Sequence, residues 1–363
     1  MNAEKTLELA IKIVNEGLSR FFLQLKSEIL QTSIKAIDLG RIVEDYTLRG
    51  GKRLRATLAL VGYWSKEWGA GDLNAISNIM VAIELLQSYL LIHDDIMDRD
   101  ELRRGGPTTH VMFTKLCLEN NWSDCEHYGI SQAIVAGDLL EASTIGLLAH
   151  RSIDSTVLRD LIYTYSKGLR LVAYGQYLDV MFSKLPLREV REEDVRLVYE
   201  LKTSSYTVEL PLVLGAISSG KYNDKLLREL SMYAYPAGIA FQIRDDIIGL
   251  YGDPSVTGKP AGSDVKSKKK TILVTKAYEL ASVEDKRFLE KVYSELHEDE
   301  ISEEHVIRVR DIVKDTGALH YAEELISNYV SKTIKSLEES NEICMDAKEF
   351  LKWLVYKLSY REK

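Results

Sequence analysis

Apolar residues recur every three or four positions along most of the chain, which is the spacing that places them on one face of an α-helix. This pattern predicts helices at residues 3–30, 37–48, 54–68, 73–98, 128–150, 154–182, 191–217 and 223–250. Residues 271–360 show the same spacing among many Glu and Lys side chains and predict a solvated outer layer of helices. No stretch alternates apolar and polar residues convincingly, so we expect an all-α fold.

The helical pattern is interrupted at residues 49–55, at residues 99–127, which are expected to be loop around a short helix, and at residues 252–270. The last of these has the sequence GDPSVTGKPAGSDVKSKKK, with glycines, prolines and a lysine run that is typical of a solvated loop. Pro211 and Pro236 fall inside predicted helices and should kink or locally break them. Because no fixed-period repeat or low-complexity linker occurs, residues 1–363 are expected to form a single domain.

Composition narrows the functional classes. The formal net charge of -8 argues against a nucleic-acid-binding surface, since such surfaces are usually basic. Cys117, Cys125 and Cys344 fit neither a CxxC pair nor a zinc pattern, so free thiols in a reducing cytosol are expected, and segment 117–128 is expected only to cap the bundle. We find no signal peptide and no apolar run long enough for a membrane span, so a soluble cytoplasmic protein is expected.

The stretch from Glu84 to His110 begins as an apolar helix and ends in three carboxylates, Asp94, Asp95 and Asp98. Asp94 and Asp98 lie one helical turn apart on the same face. Two acids in this arrangement repel each other unless a positive charge lies between them. An apolar wall that ends in a carboxylate pair indicates a substrate with a hydrocarbon body and an anionic head.

A second acidic pair, Asp245 and Asp246, ends another apolar helical stretch. One such pair is equally compatible with an ordinary helix end. Two pairs, about 150 residues apart in the sequence and each at the end of an apolar helix, are harder to explain as a coincidence. Hard oxygen ligands suit Mg²⁺, which bridges to phosphate oxygens, so the two clusters predict a Mg²⁺ site that clamps a diphosphate between facing helices. The basic turn at 49–55 is either an anion site at a helix N-terminus or a solvated turn.

Seven motifs occur in one order: GGKRLR at 50–55, DDIMD at 94–98, RRGGPTTH at 103–110, GQYLD at 175–179, KT at 202–203, FQIRDD at 241–246 and GKPAGSD at 258–264. In this set and order the chain resembles the trans-isoprenyl diphosphate synthases, the polyprenyl synthetase family, over nearly its whole length. The resemblance implies an all-α bundle of antiparallel helices around a central cavity, usually a homodimer. It also implies Mg²⁺-dependent condensation of isopentenyl diphosphate with an allylic diphosphate (dimethylallyl, geranyl or farnesyl).

The resemblance assigns a role to each matching residue. The Mg²⁺ ligands would be Asp94, Asp98 and Asp245, supported by Asp95 and Asp246. The cations for the allylic diphosphate would be Arg103, Lys202, Lys259 and, in a closing loop, Lys269. The metal-free pocket for isopentenyl diphosphate would contain Lys52, Arg53, Arg104 and Gln87. The groups near the nascent carbocation would be Thr203, Gln176 and Gln242, with Asp179 near the metals.

The second cluster departs from the pattern of many family members. It reads DDIIG, with Gly249 where a third aspartate is common, and Gly249 cannot bind a metal. Asp253 lies about a full helical turn further on. We therefore expect two effective ligands in this cluster and an active enzyme, because the first cluster is complete.

Product length should depend on the residues that close the apolar tunnel. Helical geometry favours Leu90 and Leu86, which lie on nearly the same side of the helix as Asp94. The resemblance instead favours Tyr89, five residues before Asp94, and is greatest to archaeal-type geranylgeranyl diphosphate synthases. Tyr89 as an ordinary core residue, and a farnesyl or longer product, remain alternatives.

Three other functions remain to be weighed. A class I terpene cyclase would lack the GGKR and RRG cations, which this chain has. A non-catalytic subunit of a heteromeric prenyl synthase usually has a degraded aspartate cluster, and only Gly249 points in that direction. A di-iron bundle would need an ExxH pair, and none of the 7 histidines completes one.

Overall fold

The computed structural model describes residues 2–149, 154–252 and 262–361. Its α-helices are α1 Ala3–Thr32, α2 Ile37–Leu48, α3 Leu54–Tyr63, α4 Leu73–Asp98, α5 Thr109–Glu119, α6 Cys125–Leu148, α7 Ser155–Lys184, α8 Glu192–Val198, α9 Leu210–Ser218, α10 Asp224–Tyr251, α11 Ser263–Lys266, α12 Ile272–Leu280, α13 Val283–Glu290, α14 Glu303–Asp315, α15 Ala318–Glu339 and α16 Met345–Ser359. Short 3₁₀ turns occur at Ile34–Ala36, Leu187–Glu189 and Glu298–Glu300, and π-helical segments at Tyr199–Glu209 and Lys291–Glu295. The structure is 82% helical, which confirms the all-α prediction.

The chain forms two compact units. The N-terminal unit comprises Asn2–Thr164 and Pro211–Tyr222, and the C-terminal unit comprises Tyr165–Leu210 and Asn223–Lys363. In the N-terminal unit, α4 packs against α3 and α6. In the C-terminal unit, α10 packs against α15, α16 and the π-helical segment Tyr199–Glu209. The expectation of a single domain over residues 1–363 stays a prediction.

Helix α4 is apolar on nearly every side, because it is enclosed by neighbouring helices. The Asp72 side chain caps its N-terminus by accepting a hydrogen bond from the Asn74 amide at 2.8 Å. Contrary to the sequence-based expectation, α4 is long and apolar enough to cross a membrane, with a mean hydropathy of 1.6 over its best window. However, 67% of that window is buried inside the protein, as expected of a core helix.

Proline has different effects at its two helical positions. The chain changes from π-helical to α-helical geometry at Leu210, directly before Pro211, and the Leu210 amide donates to the Ser205 carbonyl five residues back. Pro211 has no amide hydrogen to continue the preceding ladder, so the predicted local disruption is confirmed there. Pro236 lies within α10, which continues through it without a break.

A small hairpin follows α4, although the sequence predicted no strands. β1 Leu102–Arg103 pairs antiparallel with β2 Gly106–Pro107. The turn residues Arg104 and Gly105 both have positive φ, 53° and 74°, as a type I′ turn requires. Strands of two residues are too short to produce a detectable alternating pattern, which explains why the sequence did not reveal them.

The expectation of free thiols at Cys117 and Cys125 is wrong. These residues form a disulfide with a Cα–Cα distance of 5.4 Å, at the end of α5 and the start of α6, while Cys344 remains a thiol. The turn between the two helices brings the cysteines together, and spacing alone could not reveal this. Closing so short a loop stabilises the folded state by about 2–3 kcal/mol in the chain-entropy model.

Candidate active site

The first aspartate cluster occupies the last turn of α4. Asp94 is half-buried and Asp98 is exposed, whereas Asp95 is fully buried. Carboxylates in this position lie at the negative end of the helix dipole, which disfavours them unless cations are near. Arg103 of β1 supplies one cation, with its guanidinium 3.9 Å from Asp94 Oδ2.

Asp95 is held by partners within the N-terminal unit. The Tyr46 hydroxyl of α2 donates to Asp95 Oδ2 at 2.6 Å, and Arg103 Nε donates to Oδ1 at 2.7 Å. Arg103 also pairs with Asp100 at 3.0 Å. Burial raises the pKa of Asp95, and Arg103 and Tyr46 oppose that rise. Asp95 therefore anchors the hairpin to α4, and Tyr46 is a partner that the sequence did not reveal.

A group of cationic and amide side chains lies between the GGKRLR loop, α4 and the hairpin turn. With its amide oxygen directed at the two guanidinium groups, Gln87 accepts from Arg55 at 3.0 Å and from Arg104 at 3.1 Å. Partial desolvation lowers the pKa of Arg104, and the charges of Arg53 and Arg55 add to this effect. Mutually repelling guanidinium groups favour a bound anion. Arg55, which the sequence prediction omitted, belongs to this group.

Arg53 has a different environment from Arg55. It is 5% exposed, and its NH1 lies 2.7 Å from Glu84 Oε2. Its Nε donates to Asn15 Oδ1 at 3.1 Å and its NH2 to the Thr47 carbonyl at 3.2 Å. All three guanidinium nitrogens are thus engaged with the protein, in contrast to the diphosphate contact that the resemblance implied.

The second aspartate cluster lies near the end of α10, in the C-terminal unit. Asp246 is 2% exposed and accepts hydrogen bonds from Gln242 at 2.9 Å and from the Tyr199 hydroxyl. Lys269 lies 3.4 Å from the same carboxylate. Burial raises the pKa of Asp246, and Lys269 opposes this rise. Asp246 is therefore a buried anchor, as Asp95 is in the first cluster.

Asp245 is the more exposed member of the pair, with 38% of its side chain accessible. It forms an ion pair with Arg361, near the end of the chain. The Arg361 guanidinium lies 4.7 Å from the centre of the Phe241 ring, and its carbonyl accepts from Arg244 at 2.6 Å. A metal ion bound by Asp245 would share this carboxylate with the arginine or displace it.

The remaining predicted residues of the C-terminal unit cluster around the π-helical segment. Lys202 forms a 2.7 Å salt bridge with Asp179 of α7, and Thr203 donates to Gln242 Oε1 at 2.7 Å. Gly175 allows α7 to pack closely against the π-helical segment, since a Cβ at this position would lie 2.6 Å from the Lys202 amide nitrogen. Gln176 follows it on α7 and is half-buried. Lys259 and Asp253 lie outside the described residues.

The space beside Gly249 contains another carboxylate. A Cβ at Gly249 would lie 2.5 Å from Asp264 Oδ2, so a third aspartate cannot be accommodated there without movement. Asp264 also raises the pKa of both Asp246 and Lys269. Asp264 thus contributes a negative charge to this cluster from a different helix, and the GSD motif was the sequence signal for it.

Lys270 anchors the loop that carries Lys269. It is 6% exposed, and its Nζ donates to the Ser183 carbonyl at 2.8 Å and to the Tyr293 carbonyl at 3.4 Å. Burial, with the neighbouring charges of Lys268 and Lys184, lowers the pKa of Lys270 to about 8. The mechanism that the resemblance implies does not use this lysine.

This lowered pKa predicts an alkaline stability effect. Between about pH 8 and pH 10 the folded protein releases the Lys270 proton while the unfolded chain retains it, so stability should rise with pH over that window by on the order of 2 kcal/mol. Urea unfolding at several pH values, for wild type and Lys270→Met, measures the difference. The variant should lack this rise, and parallel pH profiles for the two proteins would contradict the prediction.

The donor chemistry of both clusters fits magnesium. Among the residues that the structure describes, no three His, Cys, Asp or Glu side chains are arranged to hold a metal by themselves. Mg²⁺ is often bound by only one or two carboxylates, with phosphate oxygens and water completing its coordination. Asp94, Asp98 and Asp245 are the accessible carboxylates of this kind.

Comparison with known proteins identifies the family. The polyprenyl synthetase family model matches residues 38–309. The chain belongs to the polyprenyl synthetase family. It is 35% identical over 312 residues to a geranylfarnesyl diphosphate synthase of Aeropyrum pernix, covering 84% of this chain and 89% of the relative. It is 33% identical over 316 residues to a geranylgeranyl diphosphate synthase of Saccharolobus solfataricus, covering 86% and 87%.

Solved structures of this polyprenyl synthetase family support the fold. A geranylgeranyl pyrophosphate synthase from Corynebacterium glutamicum, complexed with isoprenyl diphosphate and magnesium, matches with a TM-score of 0.89 and 28% identity, covering 99% of this chain and 100% of that one. A geranylgeranyl pyrophosphate synthetase from Pyrococcus horikoshii matches with a TM-score of 0.77 and 29% identity, covering 98% of both chains. The chain is thus a trans-prenyltransferase with the isoprenoid synthase fold.

Proposed function

We propose that this trans-prenyltransferase joins isopentenyl diphosphate head-to-tail to an allylic diphosphate, with geranylgeranyl diphosphate as the product. The observation that carries this proposal is that one unit contains two different anion-binding chemistries. The α4 carboxylates suit a diphosphate bound through metal ions, and the Arg55–Gln87–Arg104 group suits a diphosphate bound directly. A terpene cyclase would need only the first.

In this proposal the chain's own residues divide the work. In the N-terminal unit Asp94 and Asp98 on α4 would hold Mg²⁺, and in the C-terminal unit Asp245 on α10 would do so. The metal, when bound, neutralises charge on the departing diphosphate. The cations that bind the allylic diphosphate would be Arg103, Lys202, Lys259 and Lys269. Those that bind isopentenyl diphosphate would be Lys52, Arg55 and Arg104, with Gln87.

The reaction then needs little further help from side chains. The allylic C–O bond breaks, the double bond of isopentenyl diphosphate attacks the resulting cation, and the released diphosphate accepts the proton that is lost. The polar groups near the cation would be Thr203, Gln242 and Gln176, while apolar helix faces exclude water. We also propose a homodimer, as the family resemblance implies. The expected cytoplasmic location remains a proposal, and the Cys117–Cys125 disulfide removes the free-thiol argument for it.

Chain length is proposed to depend on Tyr89. Its ring packs edge-on against His93 with centroids 4.9 Å apart, and burial together with Glu141 and Asp138 of α6 raises its pKa. Leu86 is buried and Leu90 is half-buried on the same helix. Tyr89 is a half-buried aromatic residue five positions before Asp94 on α4. A ring in this position suits the role of blocking further growth of the prenyl chain.

Tyr89→Ala should therefore lengthen the product beyond geranylgeranyl, because it removes the bulk that blocks further extension. Chromatography of labelled, dephosphorylated products measures the chain length. Tyr163→Ala is a suitable control, because Tyr163 is 67% exposed on α7. An unchanged product distribution in Tyr89→Ala would contradict the assignment and leave Leu86 and Leu90 as candidates.

The test of the proposed function is incorporation of labelled isopentenyl diphosphate by the purified protein with Mg²⁺ and each allylic primer in turn. Geranylgeranyl diphosphate as the main product supports the proposal. A farnesyl or longer product would support the condensation activity and correct the proposed chain length. No incorporation with any primer would favour the non-catalytic subunit. Hydrocarbon release from an allylic diphosphate alone would favour the cyclase.

A further inference from the structure

The Arg53–Glu84 ion pair is buried within the N-terminal unit, and one of its carboxylate oxygens is unsatisfied in the described part of the chain. Glu84 is 2% exposed, and its second oxygen, Oε1, has no hydrogen-bond partner among the described residues. An incompletely satisfied buried carboxylate is costly to retain, and an apolar pair of similar size would serve folding as well or better. Stability alone therefore gives little reason for this pair.

The position of Glu84 connects it to the cation group. It lies three residues before Gln87 on α4, so both side chains project from neighbouring positions on the helix. The charge of Glu84 raises the pKa of Arg104, opposing the effects of Arg53 and Arg55. Glu84 is thus a carboxylate that offsets repulsion among these guanidinium groups.

The backbone of the GGKRLR loop depends on Arg53. Gly50, Gly51 and Arg53 have φ values of 48°, 132° and 46°, and a non-glycine residue in the left-handed region costs about 1–2 kcal/mol. The Arg53 side chain offsets this strain by joining three helices, through Asn15 of α1, Thr47 of α2 and Glu84 of α4. These contacts fix the direction in which the residues on either side of Arg53 leave the loop.

We infer that Glu84 is a positioning residue for the isopentenyl diphosphate pocket, acting through Arg53 to hold Lys52 and Arg55 in place. Arg53 is accordingly a positioning residue as well and not a diphosphate ligand. The GGKRLR loop also lies close to Arg104, since a Cβ at Gly51 would be 3.4 Å from the Arg104 guanidinium carbon. This inference rests on the proposed function, because it specifies which residues shape the second diphosphate site.

The experiment compares steady-state kinetics and calorimetric binding of isopentenyl diphosphate for wild type, Glu84→Gln and the double variant Arg53→Met/Glu84→Met. Glu84→Gln should raise the KM for isopentenyl diphosphate about tenfold, equivalent to about 1.4 kcal/mol, with kcat and the KM for the allylic primer nearly unchanged. In the double variant an apolar pair replaces the ion pair, so no buried charge is left unpaired. Thermal unfolding should therefore stay cooperative, at a temperature somewhat below that of wild type because the Arg53 contacts with Asn15 and Thr47 are lost, while the KM stays raised.

The Lys26–Glu44 pair of α1 and α2 provides the control, with a 2.7 Å salt bridge between partly exposed side chains. Glu44→Gln should leave both KM values unchanged. A double variant that binds isopentenyl diphosphate as wild type does would overturn the inference and make the pair purely structural. Failure of the wild type itself to bind or incorporate isopentenyl diphosphate would instead remove the proposed function.

Discussion

Asp94→Asn is expected to lower kcat/KM by about 10³-fold or more, because it removes a charged oxygen ligand from the site that stabilises the departing diphosphate. Asp94 is half-buried, and the Arg103 guanidinium lies 3.9 Å from its Oδ2 atom. Because the amide of Asn has nearly the same size and shape as the carboxylate and can still accept a hydrogen bond, urea unfolding should show a change below about 1 kcal/mol. Steady-state kinetics at saturating Mg²⁺ measure the loss.

The matched control for Asp94→Asn is Glu119→Gln, which removes an exposed carboxylate at the end of α5. Its activity should equal that of wild type. The Asp94 variant should also bind Mg²⁺ and diphosphate together more weakly in calorimetry, a readout that does not depend on turnover. Activity of Asp94→Asn within about tenfold of wild type would show that Asp94 does not have the proposed role, since loss of even one preorganised charge contact usually costs more.

The sequence could predict the helices because helical periodicity is a local property. The apolar spacing that predicts residues 73–98 depends only on neighbours along the chain, and α4 spans Leu73–Asp98. At residues 54–68 the prediction was too long, and α3 ends at Tyr63. The aspartate clusters at the ends of α4 and α10 could also be predicted, because each is a short motif that spans only one or two helical turns.

Contacts between distant segments were not predictable in this way. Arg53 and Arg55 are the same residue type two positions apart, yet only the packing of Asn15, Thr47 and Glu84 determines that Arg53 is buried. The proximity of Asp264 to Gly249 also depends on how the chain returns after the segment that separates them. A motif indicates the chemistry of a site. Tertiary packing determines which residue of a charged run is buried in an ion pair and which is available to bind a ligand.

The adjacent aspartates of α4 illustrate this division. Asp94 and Asp95 are indistinguishable by residue type, but their helical positions differ by 100°, so one faces outward and the other faces the core. Asp95 accepts hydrogen bonds from Tyr46 and Arg103, and through Arg103 it connects α2, α4 and the hairpin. Its substitution should therefore affect folding far more than that of Asp94.

Asp95→Ala should destabilise the protein by about 2–3 kcal/mol, because it leaves the buried Tyr46 hydroxyl without its acceptor and removes the closest carboxylate from Arg103, which keeps Asp100. Urea unfolding measures the change, with Asp94→Ala as the control one position away. Asp95→Asn should cost less, since an amide oxygen can still accept a hydrogen bond. Tyr46→Phe combined with Asp95→Ala should add little further loss, because the two residues share one network. Equal unfolding free energies for Asp95→Ala and Asp94→Ala would contradict the anchoring role and leave burial of Asp95 without a structural purpose.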